Sequence, residues 1–261
     1  MRIFEISDFD SNFTTNTWTQ SSGNGSFAFI NDNNYYWETE GEATDGTISF
    51  LQATLEALQT SIIDSLFILE SNITNLAIYL DTGAGLTLFT DYIVVSSEDG
   101  KSHYYKFNST QTIVGLKIQG SNTNPANSEK RINRVLVFKQ LARIENPAEI
   151  NPTKNRNQKI NKLLNGRNDL ISLGSSFDID VNLKNHLTEQ DNDAIQFLSD
   201  RDFEFWLWVQ DEKEDRFKKF KQEPFRFQDL KKMVIKGKTK PNYKNGYWSS
   251  LDISYKFIEV S

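Results

Sequence analysis

Tyr35–Gly41 (YYWETEG), Ile48–Gln52 (ISFLQ) and Ile62–Leu80 (IIDSLFILESNITNLAIYL) decide how this chain folds. An aromatic, acidic loop leads into one apolar strand and then a second. A polar turn at Ser71-Asn72 precedes a third. Short apolar runs without central charges, separated by turn residues, are the pattern of strands packed into a β-sandwich. No catalytic motif competes with this reading.

The pattern continues outward. Thr47–Leu55 (TISFLQATL), Ser65–Glu70 (SLFILE), Asn75–Leu80 (NLAIYL), Leu86–Ser96 (LTLFTDYIVVS) and Gln111–Gln119 (QTIVGLKIQ) are expected strands. Arg134–Gln140 (RVLVFKQ) closes the first half with a β-branched strand. Ser97–Lys101 (SEDGK) is an expected turn, because Asp-Gly tolerates the backbone that a tight turn needs. Ser121–Ser128 (SNTNPANS) is a loop by composition. Leu51, Leu55 and Leu58 also fit one face of a helix, so strand is favoured through Ala53 and the rest is left open.

Asn146–Asn157 (NPAEINPTKNRN) is the best linker candidate, and a domain boundary is expected near residue 141. A helical turn is expected over Lys159–Leu164, ended by Asn165-Gly166. Phe177, Ile179, Val181 and Leu183 then alternate with polar residues, as in a half-buried strand. Glu189–Leu198 reads as a short helix. Phe203, Phe205, Leu207 and Val209 alternate with Glu204, Trp206 and Trp208, so this strand is apolar on both faces. It is either central in a sheet or part of a subunit contact. Phe225 and Phe227 begin another strand, and Leu251–Phe257 alternates as a last one.

Composition sets bounds. The chain has 261 residues, 38% of them hydrophobic and 25% charged, which suits a folded protein of one large or two ordinary domains. Aromatics reach 13%, and they favour strands. There is no cysteine, which excludes disulfides and thiolate metal sites. Residues 1–140 carry 8 basic and 16 acidic side chains, and residues 141–261 carry 21 and 19. That difference supports two domains. The N-terminal MRIFEISDFD lacks a signal-peptide core, and no apolar run approaches the roughly 18 residues of a membrane span. Synthesis in a cytoplasm and no membrane insertion are therefore expected.

Candidate sites follow from residue type. Tyr35, Tyr36 and Trp37 beside Asn31–Asn34 are suited to a glycan contact, since sugars stack on aromatic faces while amides take their hydroxyls. The alternative is that Trp37 packs under the sandwich rim. Lys154, Arg156, Lys159, Lys162 and Arg167 form a basic stretch that suits phosphate in a channel, a subunit interface or plain solvent. Glu38, Glu40, Glu42 and Asp45 offer oxygen to a hard cation such as calcium, but without the spacing of a calcium loop. His103 and His186 are far apart in sequence, so no transition-metal site is expected. No cofactor is expected. Carboxylates are plentiful, but no pair stands out as the two that a glycosidase needs about 5–10 Å apart.

Several stretches resemble a known family. Asn33–Gly41 (NNYYWETEG), Ile62–Gly83, Ile113–Gly120 (IVGLKIQG) and Glu129–Phe138 (EKRINRVLVF) resemble the galactose-binding-like (discoidin-type) jelly rolls of many bacteriophage structural proteins. Lys154–Asp169 (KNRNQKINKLLNGRND), Phe177–Asn185 (FDIDVNLKN), Arg201–Val209 (RDFEFWLWV) and Tyr247–Val260 (YWSSLDISYKFIEV) are similar to phage distal-tail and baseplate proteins. The resemblance implies a mainly β chain of two β-sandwich domains. These are a jelly roll over 1–140 and a tail-ring-type β domain over 141–261 with one or two short helices. In those phage proteins the ring domain usually comes first. Here the order is reversed, which raises the alternative that Met1–Ser7 (MRIFEIS) adds a strand to the second domain.

The implied role is a non-enzymatic structural protein of a virion tail, forming a ring, expected as a hexamer, that joins the tube to tip or fibres. Its partners would be itself and other tail proteins, with DNA passing without sequence-specific binding. Phe203, Phe205, Trp206 and Trp208 would supply a subunit interface. The second hypothesis is a carbohydrate-binding module for attachment to a host glycan, centred on Tyr35, Tyr36 and Trp37.

Overall fold

A computed structural model describes residues 2–6, 9, 16–30, 34–143, 149–162, 168–184, 204–208, 230–235, 242–243 and 251–259. In chain order its strands are β1 (Arg2–Ile6), β2 (Thr17–Gln20), β3 (Trp37–Glu38), β4 (Ser49–Thr54), β5 (Ser61–Ser71) and β6 (Leu76–Asp81). Next come β7 (Leu86–Phe89), β8 (Tyr92–Ser96), β9 (His103–Ile113), β10 (Gly115–Gly120), β11 (Arg131–Arg143) and β12 (Glu149–Lys162). The last are β13 (Asn168–Lys184), β14 (Phe205–Trp208), β15 (Leu230–Ile235), β16 (Asn242–Tyr243) and β17 (Leu251–Glu259). The chain is mainly β, with two sheets in a sandwich arrangement, as the sequence predicts.

The chain divides into two compact units. One comprises Glu5–Gln140 with Gln210–Phe227. The other comprises Met1–Phe4, Leu141–Val209 and Gln228–Ser261. The first holds the sandwich. One of its sheets runs β2-β4-β10-β6-β7, and the other runs β11-β5-β9-β8 with β3 beside the start of β11. Strand β4 alternates buried and half-buried residues along its length, so one face turns inward and the other outward. Leu51 and Ala53 of β4, Ile78 and Leu80 of β6, and Leu116 and Ile118 of β10 meet Leu66 and Ile68 of β5 and Val135 and Val137 of β11 in one core. The middle of β5 is buried on both faces, which explains its unbroken apolar run SLFIL. Phe67, on the face away from the Leu66–Ile68 side, stacks on Tyr104 at 4.6 Å and meets Phe138 edge-on at 5.7 Å.

In the other unit the path is β12-β13-β17-β15-β14-β1, with β16 also on β17. The pairs are antiparallel. Arg2, Ile3 and Phe4 stand opposite Trp208, Leu207 and Trp206. Phe205 and Phe257 meet edge-on at 5.7 Å.

Two local expectations are overturned. Over its described part, Asn146–Asn157 is strand and not linker: Glu149–Asn157 belongs to β12, which pairs antiparallel with β13 with an irregularity between Arg156 and Gln158. The helical turn expected from Lys159 is also strand, through Lys162. Strand β12 ends its sheet path, so one side has no neighbouring strand among the described residues. Pro152, opposite Ile179, lies in the strand that ends this sheet path, the kind of strand to which sheets confine proline. The helix expected over 189–198, the turn at Asn165-Gly166 and the strand start at Phe225 and Phe227 lie outside the described residues.

Candidate functional site

Strand β3 is two residues long and organises the site. It pairs with the start of β11, placing Trp37 opposite Ile132 and Glu38 opposite Arg131. Alternation along a strand sends the two side chains to opposite faces. Trp37 goes inward and is 1% exposed, while Glu38 goes outward. The Trp37 indole Nε1–H donates to the Ser22 carbonyl at 2.9 Å, which ties the 21–24 turn to β3. Gly23 completes that turn with φ of +66°, and a Cβ built on it would sit 1.9 Å from the Glu38 carbonyl oxygen. Only glycine permits this approach.

A hollow of about 400 Å³ opens beside this junction. It is lined by Gly23, Asn24 and Phe27 from one segment and by Asn34, Tyr35, Tyr36, Glu38, Thr39 and Glu40 from the other. The volume lies within the roughly 300–1,000 Å³ of small-molecule sites. Tyr35 is 41% exposed and rests edge-on against Phe27, with ring centres 5.3 Å apart. Tyr36 is half-buried, and the Arg131 guanidinium lies 3.9 Å from its ring centre. The Arg131 Nε–H donates to Asn133 Oδ1 at 2.9 Å, so Arg131 acts as a brace for Tyr36. The Ser26 hydroxyl donates to Asn24 Oδ1 at 2.7 Å, which leaves the Asn24 amide N–H groups without a partner among the described residues.

The acidic loop that follows is held by residues 78–90 positions further along the chain, around the start of β11. Glu129 accepts the Thr39 hydroxyl at 2.6 Å and the N–H groups of Gly41 at 3.0 Å and Glu42 at 3.2 Å. The Thr39 hydroxyl bond, helped by those N–H groups, holds the Glu129 carboxyl below its ordinary range. Asp45 accepts the Thr123 N–H and hydroxyl, both at 3.1 Å, and the Asn127 N–H at 3.2 Å. Desolvation pushes the Asp45 carboxyl upward, but the bonds from Asn127 and Thr123 outweigh it and set it below its ordinary range. Glu42 accepts the Ser21 hydroxyl at 2.9 Å. Lys130, fully buried, donates its ammonium to the Glu42 carbonyl and, at 3.0 Å, to the Thr44 carbonyl.

The structure therefore sorts the sequence candidates. Tyr35 and Tyr36 reach the hollow. Trp37 does not, because its strand position turns it into the core, and this corrects its reading as a glycan contact. Of the four acids considered for a cation, Glu38 and Glu40 face the hollow, while Glu42 is bonded to Ser21 and Asp45 to Thr123 and Asn127. Among the described residues no group of three or more acidic or histidine side chains converges on a metal position. His103 donates to or accepts from the Ser96 hydroxyl at 2.8 Å, well away in sequence from the site, and His186 lies outside the described residues.

Lys154, Arg156, Lys159 and Lys162 are positions of β12, opposite Phe177, Ser175, Ile171 and Asn168. Arg167 and Phe203 lie outside the described residues, as do Asn31–Asn33. Phe205, Trp206 and Trp208 are buried within the chain, in a strand paired on both sides. Sequence reasoning missed Gly23, Asn24, Glu129, Lys130 and Arg131. Glu129 and Lys130 act on a loop 86–90 positions away, a relation with no local signal.

No protein-family model matches the chain, and no curated protein does. Solved structures do. The family 32 carbohydrate-binding module of C. perfringens NanJ, in complex with galactose, is 18% identical. It aligns over 49% of this chain and 96% of its own, with a TM-score of 0.41. A family 32 module from Clostridium perfringens in complex with GalNAc-β-1,3-galactose is 15% identical over 49% and 97%, with a TM-score of 0.39. Module CBM32-3 of a family 31 glycoside hydrolase from Clostridium perfringens is 14% identical over 49% and 96%, with a TM-score of 0.39. At this similarity the functional reading rests on the residues of the hollow itself.

Proposed function

We propose that this chain is a carbohydrate-binding protein that takes a glycan in the hollow at Tyr35. The observation that carries this is an exposed tyrosine ring, braced at its edge by Phe27, beside amide and carboxylate groups in one open depression. A sugar ring offers an apolar face of C–H groups and a rim of hydroxyls. Tyr35 matches the first, and Asn24, Asn34, Glu38 and Glu40 match the second. Attachment is the corresponding role, with the second unit as a carrier.

The tail-ring reading stands only on the sequence resemblance. The aromatic strand offered for its subunit contact, Phe205–Trp208, is already buried within one chain.

The test is a glycan array with the whole chain, followed by calorimetry on the hits. Tyr35→Ala is expected to weaken binding about tenfold or more, as truncating an exposed aromatic anchor does. Unchanged affinity in that variant, or no hit on any glycan, would overturn the reading. Hydrolysis of a bound glycan, lost in Glu38→Gln, would replace it with a catalytic one.

A further inference from the structure

We infer that the hollow selects glycans carrying protonated amines, meaning polymers of amino sugars such as deacetylated chitin, over neutral and acidic ones. This rests on the carbohydrate reading above, and it concerns which sugar the site takes.

The argument is a charge inventory around a cavity already defined by its shape and its exposed tyrosine. Among the described residues five acids lie on or against the loop that follows β3: Glu38, Glu40, Glu42, Asp45 and Glu129. Three are consumed internally. Glu129 is bonded to Thr39, Gly41 and Glu42, Asp45 to Thr123 and Asn127, and Glu42 to Ser21. The remaining two, Glu38 and Glu40, are exposed and line the hollow. Their carboxylates have no hydrogen-bond or ion-pair partner among the described residues.

The nearby cations are committed elsewhere. Lys130 is buried and turned onto two backbone carbonyls. Arg131 stands opposite Glu38 in register, yet its guanidinium lies over the Tyr36 ring and its Nε–H is on Asn133. No lysine, arginine or histidine is among the described residues that line the hollow. A site with two free carboxylates and no lining cation repels a uronic or sialic acid. A neutral sugar also stacks on Tyr35 but meets these carboxylates only through hydroxyls. An ammonium gains charge-assisted hydrogen bonds to the same oxygens.

The experiment compares four ligands on the whole chain by calorimetry: a glucosamine oligomer, its N-acetylated counterpart, a cello-oligosaccharide and an oligogalacturonate. The first two differ only in the charge and acetylation of the amine. Two exposed carboxylate–ammonium contacts correspond to about tenfold in affinity, so the glucosamine oligomer is expected to bind about tenfold more tightly than the acetylated one. That ratio should shrink toward one as salt is raised to about 1 M, where the Debye length is about 3 Å. It should also fall toward one in Glu38→Gln/Glu40→Gln, checked for folding by circular dichroism.

Equal affinity for the two oligomers, a preference for the galacturonate, or a preference that survives both the salt and the double variant would overturn this inference while leaving carbohydrate binding in place. Binding to none of the four, with no hit on a wider array, would overturn the carbohydrate reading itself.

Discussion

At the residue scale, the triplet Tyr35-Tyr36-Trp37 shows what a sequence reveals about a site and what it hides. The cluster marks the right place, since two of its rings reach the hollow. Its members are chemically alike, so composition cannot say which ring faces out. One step along β3 decides it, sending Trp37 into the core and Glu38 to the surface. The two ends of the triplet should therefore fail differently. Trp37→Ala removes a fully packed indole and its bond to Ser22, and should cost about 3–5 kcal/mol in urea denaturation, enough to unfold a marginal domain. Tyr35→Ala should change stability by no more than about 0.5 kcal/mol while abolishing most binding. A Trp37→Ala protein as stable as wild type would contradict the burial described here. Gly23 is a third case. Gly23→Ala places a methyl against the Glu38 carbonyl at a positive φ, and should cost about 2 kcal/mol or more while reshaping the hollow.

At the element scale, legibility tracks the distance between partners. Strands β4, β5, β6 and β17 announce themselves because alternation or an apolar run is written into consecutive residues. Strand β12 does not, since its proline and asparagines carry loop propensities that pairing with β13 overrides. The acidic loop is the strongest instance. Its residues Thr39–Asp45 look like a solvated charged run, and nothing nearby explains their order. The explanation comes from Glu129 and Lys130, which hold it by a carboxylate on one side and a buried ammonium on the other.

This arrangement makes Lys130 an internal brace. Lys130→Met keeps most of the volume but leaves the Glu42 and Thr44 carbonyls without their donor. Glu42 is half-buried and Thr44 exposed, so water can take over part of the lost bonding, and a loss of about 1–3 kcal/mol is expected in chemical denaturation. Hydrogen exchange should rise at Gly41, Glu42 and Gly46 before it rises in β5. A variant with wild-type stability and unchanged exchange in the loop would show that Lys130 carries no such role.

At the scale of the whole molecule, these internal bonds give stability a defined dependence on pH. Glu129 and Asp45 are held below their ordinary values of 4.5 and 3.8 by hydrogen bonds to their charged forms. A carboxyl with a depressed pKa in the fold binds fewer protons folded than unfolded between the two values. Its contribution is thus fully present above the ordinary value and is lost as pH falls through the lower, folded one. His103 adds a second step at higher pH. Desolvation by burial lowers it from its ordinary 6.5, only partly opposed by the charge of Asp99, and its Nε2 is buried without a hydrogen-bond partner among the described residues. Its neutral form is the folded one, so its contribution is present above about 6.5 and declines as pH falls below that value.

Both steps have the same sign, and they are separable by mutation. Urea midpoints measured from neutral to acid pH should fall in two stages. His103→Gln should flatten the upper stage, and Glu129→Gln should flatten the lower. The second variant should also be less stable at neutral pH, where the charged bonds to Thr39, Gly41 and Glu42 are fully formed in wild type. A Glu129→Gln curve parallel to wild type throughout the acid limb would mean that the loop's acid sensitivity lies in other groups.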